Sequence, residues 1–332
     1  MKPIGKSVVT FAIIGCGDVT EIKSGPAFQK IPGSRLKTVM RRDEAKLRDY
    51  ALRHHVEHCT TDYLEIMNDP EIDAVYIATP PNLHCFYTLE AAKCGKAVYV
   101  EKPMATTVAE CRRMIAACEE AGVPLFTAYY RRGMEKYLTI RELLAGGRIG
   151  ELRSFDYRFT CPVPAVNPNR SWLLEPGAAG GGLWYDIGSH MVDTLRFLFG
   201  EADTAYGFSA NRSGRYAVND VHSVALRFDS GMQGTMQLTF CGAEQKDEAI
   251  VYGSGGSLRF SIMDFGPVTL DADGAAEEIA FPPAEHVQQG LITRVVQTIL
   301  GKDDLESRGA YGLGTQEILE AVDRNQPYRR NP

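Results

Sequence analysis

A glycine pair near the start of the chain has the spacing of a phosphate-binding turn. Gly15 and Gly17 follow an apolar run, and a helical pattern begins directly after them at Asp18 and Val19. Glycine permits a tight turn and lets the backbone approach a pyrophosphate, which the N–H groups at a helix N-terminus bind. The third glycine of the dinucleotide fingerprint is absent, since Thr20 stands in its place. The segment predicts a dinucleotide site, with an ordinary strand-turn glycine pair as the alternative.

The charge at the end of the second predicted strand indicates which dinucleotide is bound. In the fingerprint an acidic residue there bonds the ribose 2′-hydroxyl, whereas an arginine accommodates a 2′-phosphate. Arg41 and Arg42 stand at this point, and a guanidinium fits a phosphate in bidentate fashion. We therefore expect NADP(H) to be preferred over NAD(H). Two alternatives stay open: Asp43 supplies the acid if the register is shifted, or both arginines are solvated turn residues.

Three further motifs follow, and their order is informative. They are Ile77-Ala78-Thr79-Pro80-Pro81-Asn82-Leu83-His84, then Glu101-Lys102-Pro103, then Asp186-Ile187-Gly188-Ser189-His190. With the Gly15 turn and the glycine run at 180–182, they resemble the glucose-fructose oxidoreductase, inositol dehydrogenase and rhizopine-catabolism (Gfo/Idh/MocA) family over nearly the whole chain. The resemblance implies a nucleotide-binding Rossmann domain, then an α/β domain whose open sheet supports oligomerisation. It further implies hydride transfer between a nicotinamide and a secondary alcohol of a sugar, cyclitol or related polyol.

The resemblance also assigns roles to individual residues. It places the cofactor against Thr79, Pro80, Asn82, His84, Glu101 and Lys102. It makes Asp186 the family's carboxylate and His190 its catalytic imidazole, with Lys102 reaching both nicotinamide and substrate.

The chemistry of these side chains agrees with such roles. Removing a hydride from a carbinol carbon requires that the hydroxyl proton leave too, so a base must lie within hydrogen-bond reach. His190 can exchange a proton near neutral pH, and the ammonium of Lys102 can stabilise a developing alkoxide. Asp186 lies four residues before His190, so that on a helix both share one face and orient one substrate. The alternatives are a packed or capping His190 and a surface Lys102.

Other side chains give weaker predictions. Tyr130, at the predicted domain junction, and Arg170 with Trp172, before the glycine run, are candidates for binding a sugar, although linker packing and a structural tryptophan explain them equally well. We expect no metal site. The spacing of His54, His55, His58 and Cys59 is more typical of an exposed helix end before a strand.

The elements that must position these residues differ between the two parts of the chain. The first 130 residues or so alternate β-branched runs with helical patterns, which predicts a doubly wound parallel sheet; the strands are Val8–Ile14, Leu36–Met40, Ala74–Thr79, Ala97–Val100 and Pro124–Thr127. After Gly150 apolar and polar residues alternate, for example over Leu152–Thr160 and His222–Phe228. We predict an N-terminal Rossmann domain (1–128) and a C-terminal α+β domain (129–332) with a large, mostly antiparallel open sheet that binds substrate and mediates oligomerisation.

Composition excludes several classes of protein. The 332 residues give about two domains, and a net charge of −6 offers no basic surface to nucleic acid. Eight cysteines without a C-x-x-C pair indicate a reducing, cytoplasmic setting. The longest apolar runs are too short to span a membrane. We expect a sugar or polyol substrate and a homodimer or homotetramer formed through the C-terminal sheet.

Three other functions remain open at this point. A catalytically silent relative would sense a dinucleotide or sugar and regulate a partner, but would not need Lys102, Asp186 and His190 together. A dihydrodiol-type dehydrogenase has the same fold, but that branch resembles a tyrosine-bearing pattern at position 190. A cofactor-retaining enzyme would oxidise and re-reduce within one cycle.

Overall fold

The computed structural model describes residues 5–163, 168–305 and 308–330, and only the backbone of residues 168–170. These residues form two compact units. Unit 1 comprises the chain up to Met134 together with Ala284–Leu313, and unit 2 comprises Glu135–Pro283 together with the chain from Gly314 onward. Among the described residues, no helix combines the length and apolar character that crossing a bilayer requires.

Unit 1 is built on a six-stranded sheet in which every pair is parallel. Its strands are β1 (Val9–Ile14), β2 (Ser34–Met40), β3 (His58–Thr60), β4 (Ala74–Ile77), β5 (Ala97–Val100) and β6 (Leu125–Thr127). Their spatial order is β3-β2-β1-β4-β5-β6. The order reverses between β1 and β4, and ligands of such sheets bind outside the carboxyl ends of the strands at this switch point.

Helices cover both faces of this sheet. They are α1 (Asp18–Ile22), α2 (Ala27–Lys30), α3 (Glu44–Arg53), α4 (Tyr63–Asn68), α5 (His84–Lys93), α6 (Val108–Glu120) and α10 (Gln289–Ile299). All of β1 is buried because its side chains alternate between two cores: Phe11 and Ile13 pack in one, and Ala12 and Ile14 in the other. The doubly wound parallel sheet predicted for this part is confirmed.

Helix α10 belongs to unit 1 although it lies far along the chain. Its apolar residues recur at helical spacing and fill one of the two cores of unit 1: Leu291, Ile292, Val295, Val296 and Ile299. The division predicted at 128/129 assigned this segment to the second domain. The structure differs here because the apolar stripe of α10 packs in the same core as Val9 and Phe11 of β1.

Unit 2 is built on a nine-stranded sheet. Its strands are β7 (Leu152–Thr160), β8 (Ala202–Ala210), β9 (Val221–Phe228), β10 (Gln233–Thr239), β11 (Lys246–Gly253), β12 (Gly256–Phe260), β13 (Val268–Ala272), β14 (Ala275–Ile279) and β15 (Tyr328–Arg329). Their order is β14-β13-β12-β11-β7-β10-β9-β8-β15. Only the pair β7 and β10 is parallel in the described part, which confirms a large, mostly antiparallel sheet.

The helices of unit 2 include the segment of the third motif. They are α7 (Glu135–Ala145), α8 (Pro176–Ala179), α9 (Ser189–Phe199) and α11 (Gly309–Asp323), and the division between the units falls within α11. A π-helical turn, Trp184–Gly188, leads directly into α9. Every residue of α9 is buried.

A buried histidine makes unit 2 sensitive to acid. His222 is fully buried, stacks on Trp184 with ring centroids 4.7 Å apart, and lies 2.7 Å through Nδ1 from the Ser209 hydroxyl. Burial lowers the pKa of His222 from 6.5 to about 4. Because the unfolded chain binds this proton more readily, we expect the contribution of the neutral ring to the free energy of unfolding to be complete above pH 6.5. Between pH 6.5 and 4 the free energy of unfolding should fall by up to about 3 kcal/mol.

Urea unfolding followed by tryptophan fluorescence at neutral and acidic pH measures this loss, since Trp172 and Trp184 both lie in unit 2. His222→Phe keeps a flat ring against Trp184 but cannot be protonated, so its loss of stability between pH 6.5 and 4 should be smaller by a comparable amount. Parallel pH curves for the two proteins would contradict the assignment.

Candidate functional site

The turn after β1 lies at the switch point of the parallel sheet. Gly15 has φ +91°, and a Cβ there would stand 2.8 Å from Thr79 Cγ2 and 3.0 Å from the Ala78 carbonyl carbon. The N–H groups of Gly15 and Cys16 both donate to the Met40 carbonyl at the end of β2. Glycine is therefore required at position 15 both by conformation and by space, and the turn is fixed between the ends of β1, β2 and β4.

The packing at Gly17 is looser than at Gly15. A Cβ added at Gly17 would have Gly15 O as its nearest neighbour, at 3.8 Å, so the packing of the protein does not require a glycine there. Thr20, at the missing third glycine, is buried; its hydroxyl accepts the Gly17 N–H at 3.0 Å and donates to the Gly17 carbonyl at 2.8 Å. Asp18 and Val19 open α1, where N–H groups precede the first intrahelical bond. A methyl group at position 17 would thus make only an ordinary contact with the protein itself.

The two arginines after β2 have different surroundings. Arg41 is partly buried, and its Nη1 donates to the carbonyl of Cys16, inside the glycine turn, at 3.2 Å. Arg42 is exposed. Asp43 is the N-cap of α3, where its Oδ1 accepts the Lys46 N–H at 3.1 Å, and this bond lowers the pKa of Asp43. Of the three, Arg41 is the side chain bonded to the glycine turn, whereas the carboxylate of Asp43 is engaged in capping.

The Thr79–His84 segment forms the loop after β4. Thr79 Oγ1 is buried without a hydrogen-bond partner among the described residues. His84 is fully buried, and its Nε2 lies 2.8 Å from the Thr79 carbonyl while its Nδ1 lies 3.1 Å from that of Pro103. Burial lowers the pKa of His84. The ring joins the loops after β4 and β5, which is the geometry of a positioning residue, while Pro80 and the exposed Asn82 lie along the outer edge of the loop.

Glu101 and Lys102 follow β5 directly, at the same carboxyl edge. Glu101 is buried, and its carboxylate accepts the Tyr76 hydroxyl at 2.6 Å and the Lys102 backbone N–H at 3.1 Å. The Lys102–Pro103 peptide is cis, and the Lys102 side chain is partly buried. The carboxylate therefore binds the backbone of the lysine that follows it.

In unit 2 the third motif spans a π-helical turn and the start of α9. Asp186 lies in the π turn and His190, 5% exposed, in the first turn of α9. The sequence predicted that Asp186 and His190 share one face of a single α-helix. The structure differs because Asp186 lies in the π-helical turn that precedes α9. Gly188 permits it, since a Cβ there would stand 2.1 Å from the indole of Trp184. That indole is buried and donates to the Leu319 carbonyl at 2.9 Å.

The remaining candidates belong to different units. Tyr130 is buried in the core of unit 1, beneath the Arg131 guanidinium at 4.9 Å. Trp172 is partly buried in a 3₁₀ turn of unit 2, and the side chain of Arg170 lies outside the described residues.

The histidine and cysteine group near α3 does not form a metal site in the described chain, where no cluster of three potential ligands occurs. Arg53 and His54 instead both bind Glu21, His54 through Nε2 at 2.8 Å. The bonds of Arg53, and secondarily that of His54, lower the pKa of Glu21 to about 2.

Two structural residues of this site had no recognisable signal in the sequence. Thr20 was noted only as the absence of a glycine, although a buried hydroxyl that bonds Gly17 twice is a capping device. Tyr76 is typical of an apolar strand residue, and the partner of its hydroxyl, Glu101, lies directly after the next strand, β5.

Comparison with known proteins assigns both parts of the chain. The family model described as "Oxidoreductase family, NAD-binding Rossmann fold" matches residues 9–129, and the model of the "GFO/IDH/MocA C-terminal domain" matches residues 137–259. The chain is 37% identical to "Oxidoreductase P35" of Formosa agariphila, covering 88% of this chain and 91% of that protein. It is 33% identical to the "1,5-anhydro-D-fructose reductase" of Ensifer adhaerens, covering 73% and 74%.

A solved structure has a similar fold over nearly the whole chain. The aldose-aldose oxidoreductase of Caulobacter crescentus, complexed with glycerol, superimposes with a TM-score of 0.86 at 26% identity, covering 97% of this chain and 100% of that one.

Proposed function

Because the chain belongs to the Gfo/Idh/MocA family of NAD(P)-dependent oxidoreductases, we propose that it transfers a hydride between a nicotinamide cofactor and a secondary alcohol or ketone of a sugar, cyclitol or related polyol. The observation that carries the proposal is the place of Lys102 directly after β5, at the same carboxyl edge as the Gly15 turn. The similarity to a 1,5-anhydro-D-fructose reductase and an aldose-aldose oxidoreductase supports a sugar as the substrate.

In the proposed reaction the residues of this chain manage the proton. A bound nicotinamide dinucleotide supplies or accepts the hydride. His190 accepts the hydroxyl proton during oxidation and returns it during reduction. Lys102 hydrogen-bonds the reacting oxygen and stabilises the charge that develops on it. Asp186 orients the substrate, with Tyr130, Trp172 and Arg170 as further contacts.

The residues of unit 1 suit the cofactor. The loosely packed backbone at Gly17, the first-turn N–H groups of α1 and the buried hydroxyl of Thr79 would receive the dinucleotide. We assign the 2′-phosphate of NADP(H) to Arg41, with Arg42 beside it, since Asp43 is engaged in capping α3.

The proposal extends to assembly and location. The nine-stranded sheet exposes Tyr206, Phe208 and Tyr252, with Phe208 65% exposed, and we assign this surface to a homodimer or homotetramer. A cytoplasmic location is consistent with eight free cysteines.

Titration of the purified protein with NADPH and NADH by native mass spectrometry, followed by an absorbance screen at the nicotinamide band, tests the proposal. The screen includes 1,5-anhydro-D-fructose, aldoses, cyclitols and a dihydrodiol. Turnover of a sugar or cyclitol is expected. Dinucleotide binding without turnover across the panel would favour a sensor, and a cofactor that survives purification would favour a cofactor-retaining cycle.

Replacing Arg41 tests the cofactor preference. We expect the wild type to bind NADPH more tightly than NADH. In Arg41→Asp the dissociation constant for NADH divided by that for NADPH should fall at least about 10-fold. A charge-assisted bond of about 1.5–3 kcal/mol is lost, and a carboxylate repels the phosphate. Arg42→Ala is the matched control, with a smaller change because Arg42 is exposed. An unchanged ratio in Arg41→Asp would reject the assignment.

A further inference from the structure

A buried polar cluster in unit 1 surrounds the carboxylate of Glu101. Its Oε1 accepts the Tyr76 hydroxyl and Gln288 Nε2, each at 2.6 Å, and its Oε2 accepts the Lys102 N–H. The Tyr99 hydroxyl in turn donates to Gln288 Oε1 at 2.8 Å. Gln288 and Tyr76 are fully buried and Tyr99 is 1% exposed. These residues are called the Glu101 cluster below.

We propose that Gln288 is a positioning residue for Lys102, acting through the carboxylate of Glu101. The inference rests on the proposed function only in giving Lys102 a catalytic role. Gln288 is 187 positions from Glu101 in sequence and comes from the segment just before α10. An amide suits this place because one end donates to a carboxylate, which only accepts, while the other end accepts a hydroxyl proton.

The backbone holds Gln288 in place. Its own N–H donates to the Lys23 carbonyl at 3.1 Å. On the sheet, Tyr76 and Tyr99 are register partners on β4 and β5, and their rings stack with centroids 4.9 Å apart. The two hydroxyls therefore reach Glu101 and Gln288 from a rigid surface, and the hydrogen bonds of the cluster have little freedom to rearrange.

Loss of the Gln288 amide would leave two buried groups short of partners. Glu101 Oε1 would retain only Tyr76, and the Tyr99 hydroxyl would lose its acceptor. A buried carboxylate that loses a donor turns toward another partner or takes up a proton. Either change weakens the bond that the Lys102 N–H donates to Glu101 Oε2, so the backbone that carries the Lys102 side chain becomes mobile.

The two tyrosines beside the carboxylate stay neutral in the useful pH range, and the remaining titratable neighbours, His84 and Lys102, are the same in wild type and in each Gln288 variant. Burial, reinforced by the charge of Glu101, raises the pKa of Tyr76 and Tyr99 well above 10. His84, on which the charge of Glu101 also acts, has its pKa lowered by burial. A new pH dependence between about pH 5.5 and 8 in a Gln288 variant would therefore report the replaced side chain and its partner.

Two variants separate positioning from general destabilisation. Gln288→Glu is isosteric: when protonated, its acid reproduces both bonds, donating O–H to Glu101 and accepting from Tyr99. When it ionises, two carboxylates face each other at the position of the 2.6 Å bond, which disfavours the pair. Gln288→Leu removes both bonds at every pH.

Hydrogen exchange of the Lys102 amide measures the proposed effect without a substrate. Single-residue exchange on the full-length protein is read by mass spectrometry at about pD 5.5 and about pD 8, against wild type at the same pD. In Gln288→Leu this amide should exchange at least about 10-fold faster than in wild type at both pD values. In Gln288→Glu it should do so only at the higher pD. A 10-fold change in the exchange rate corresponds to about 1.4 kcal/mol. Tyr99→Phe, which keeps the Gln288–Glu101 bond, is the matched control and should change the rate less.

The results distinguish the possible failures. The inference would be overturned if the Lys102 amide exchanged at the wild-type rate in folded Gln288→Leu. It would also be overturned if the ratio of the Gln288→Glu rate to the wild-type rate were the same at both pD values. An equal acceleration throughout β2 would also overturn it, because that is general destabilisation. If Gln288→Leu does not fold, the pD dependence of Gln288→Glu decides. Full turnover in Lys102→Met would reject the role of Lys102 without affecting the exchange result.

Discussion

His190→Ala is expected to lower kcat about 1,000-fold on whichever sugar or cyclitol the wild type oxidises, while the dissociation constant for NADPH changes less than about 2-fold. General acid–base catalysis by a positioned side chain contributes about 10²- to 10⁴-fold. His190 lies in unit 2, whereas the residues assigned to the dinucleotide lie in unit 1, so the two measurements separate. Steady-state kinetics and fluorescence titration with NADPH provide them.

The control is the other buried histidine of unit 2. His222→Phe removes an imidazole that is stacked on Trp184 and bonded to Ser209, outside the proposed site, and kcat at neutral pH should stay near that of wild type. Lys102→Met should also reduce kcat strongly. If His190 and Lys102 act on the same oxygen, the double variant should lose less than the product of the two single losses. Full turnover in His190→Ala would refute the acid–base role.

Much of the framework that carries these residues follows from local sequence. The strands β5 (Ala97–Val100) and β7 (Leu152–Thr160) begin and end at the residues predicted for them. In β5 every side chain is buried, which is the continuous apolar run of a parallel strand. In β7 buried and more exposed positions alternate, which is the period of a strand with one open face. These patterns are strong because one or both faces of each strand pack against a core.

Strands without that constraint were not predicted. The last strand at one edge of the large sheet, β14 (Ala275–Ile279), is exposed over four of its five residues, so its sequence has no periodic apolar signal. The short edge strand β3 (His58–Thr60) has only one buried residue. Its histidine and cysteine instead suggested a metal as a minor alternative. Edge strands are specified by pairing with a neighbour and not by their own pattern.

The sequence indicated the structural role of a site residue only where the position requires that residue type. Gly15 combines a positive φ with a Cβ position 2.8 Å from Thr79, and both follow from its place at the end of a strand. Gln288 is an ordinary glutamine before a helix. Its partner Glu101 lies on another strand end, so its function arises only from tertiary packing. The same is true of the Thr20 hydroxyl, which replaces a glycine by bonding its neighbour.

Substitution of the two glycines of the first turn should affect stability differently and cofactor binding alike. Gly15→Ala places a Cβ 3.0 Å from backbone atoms of Ala78 at φ +91°. About 1–2 kcal/mol of backbone strain then adds to displacement of the loop. We therefore expect a lower melting temperature and at least about 100-fold weaker NADPH binding. Gly17→Ala meets nothing closer than 3.8 Å. Its melting temperature should equal that of wild type, yet its NADPH affinity should fall about as far.

This contrast locates the cofactor. The protein itself does not need a glycine at position 17, where φ is −149° and an alanine fits the backbone. A loss of affinity in stable Gly17→Ala therefore means that the ligand itself occupies the space that the methyl group would fill. Differential scanning fluorimetry and NADPH titration on the two variants give both numbers. Wild-type affinity in Gly17→Ala would show that no pyrophosphate approaches this backbone, and the Arg41 assignment, which depends on the same placement, would fall with it.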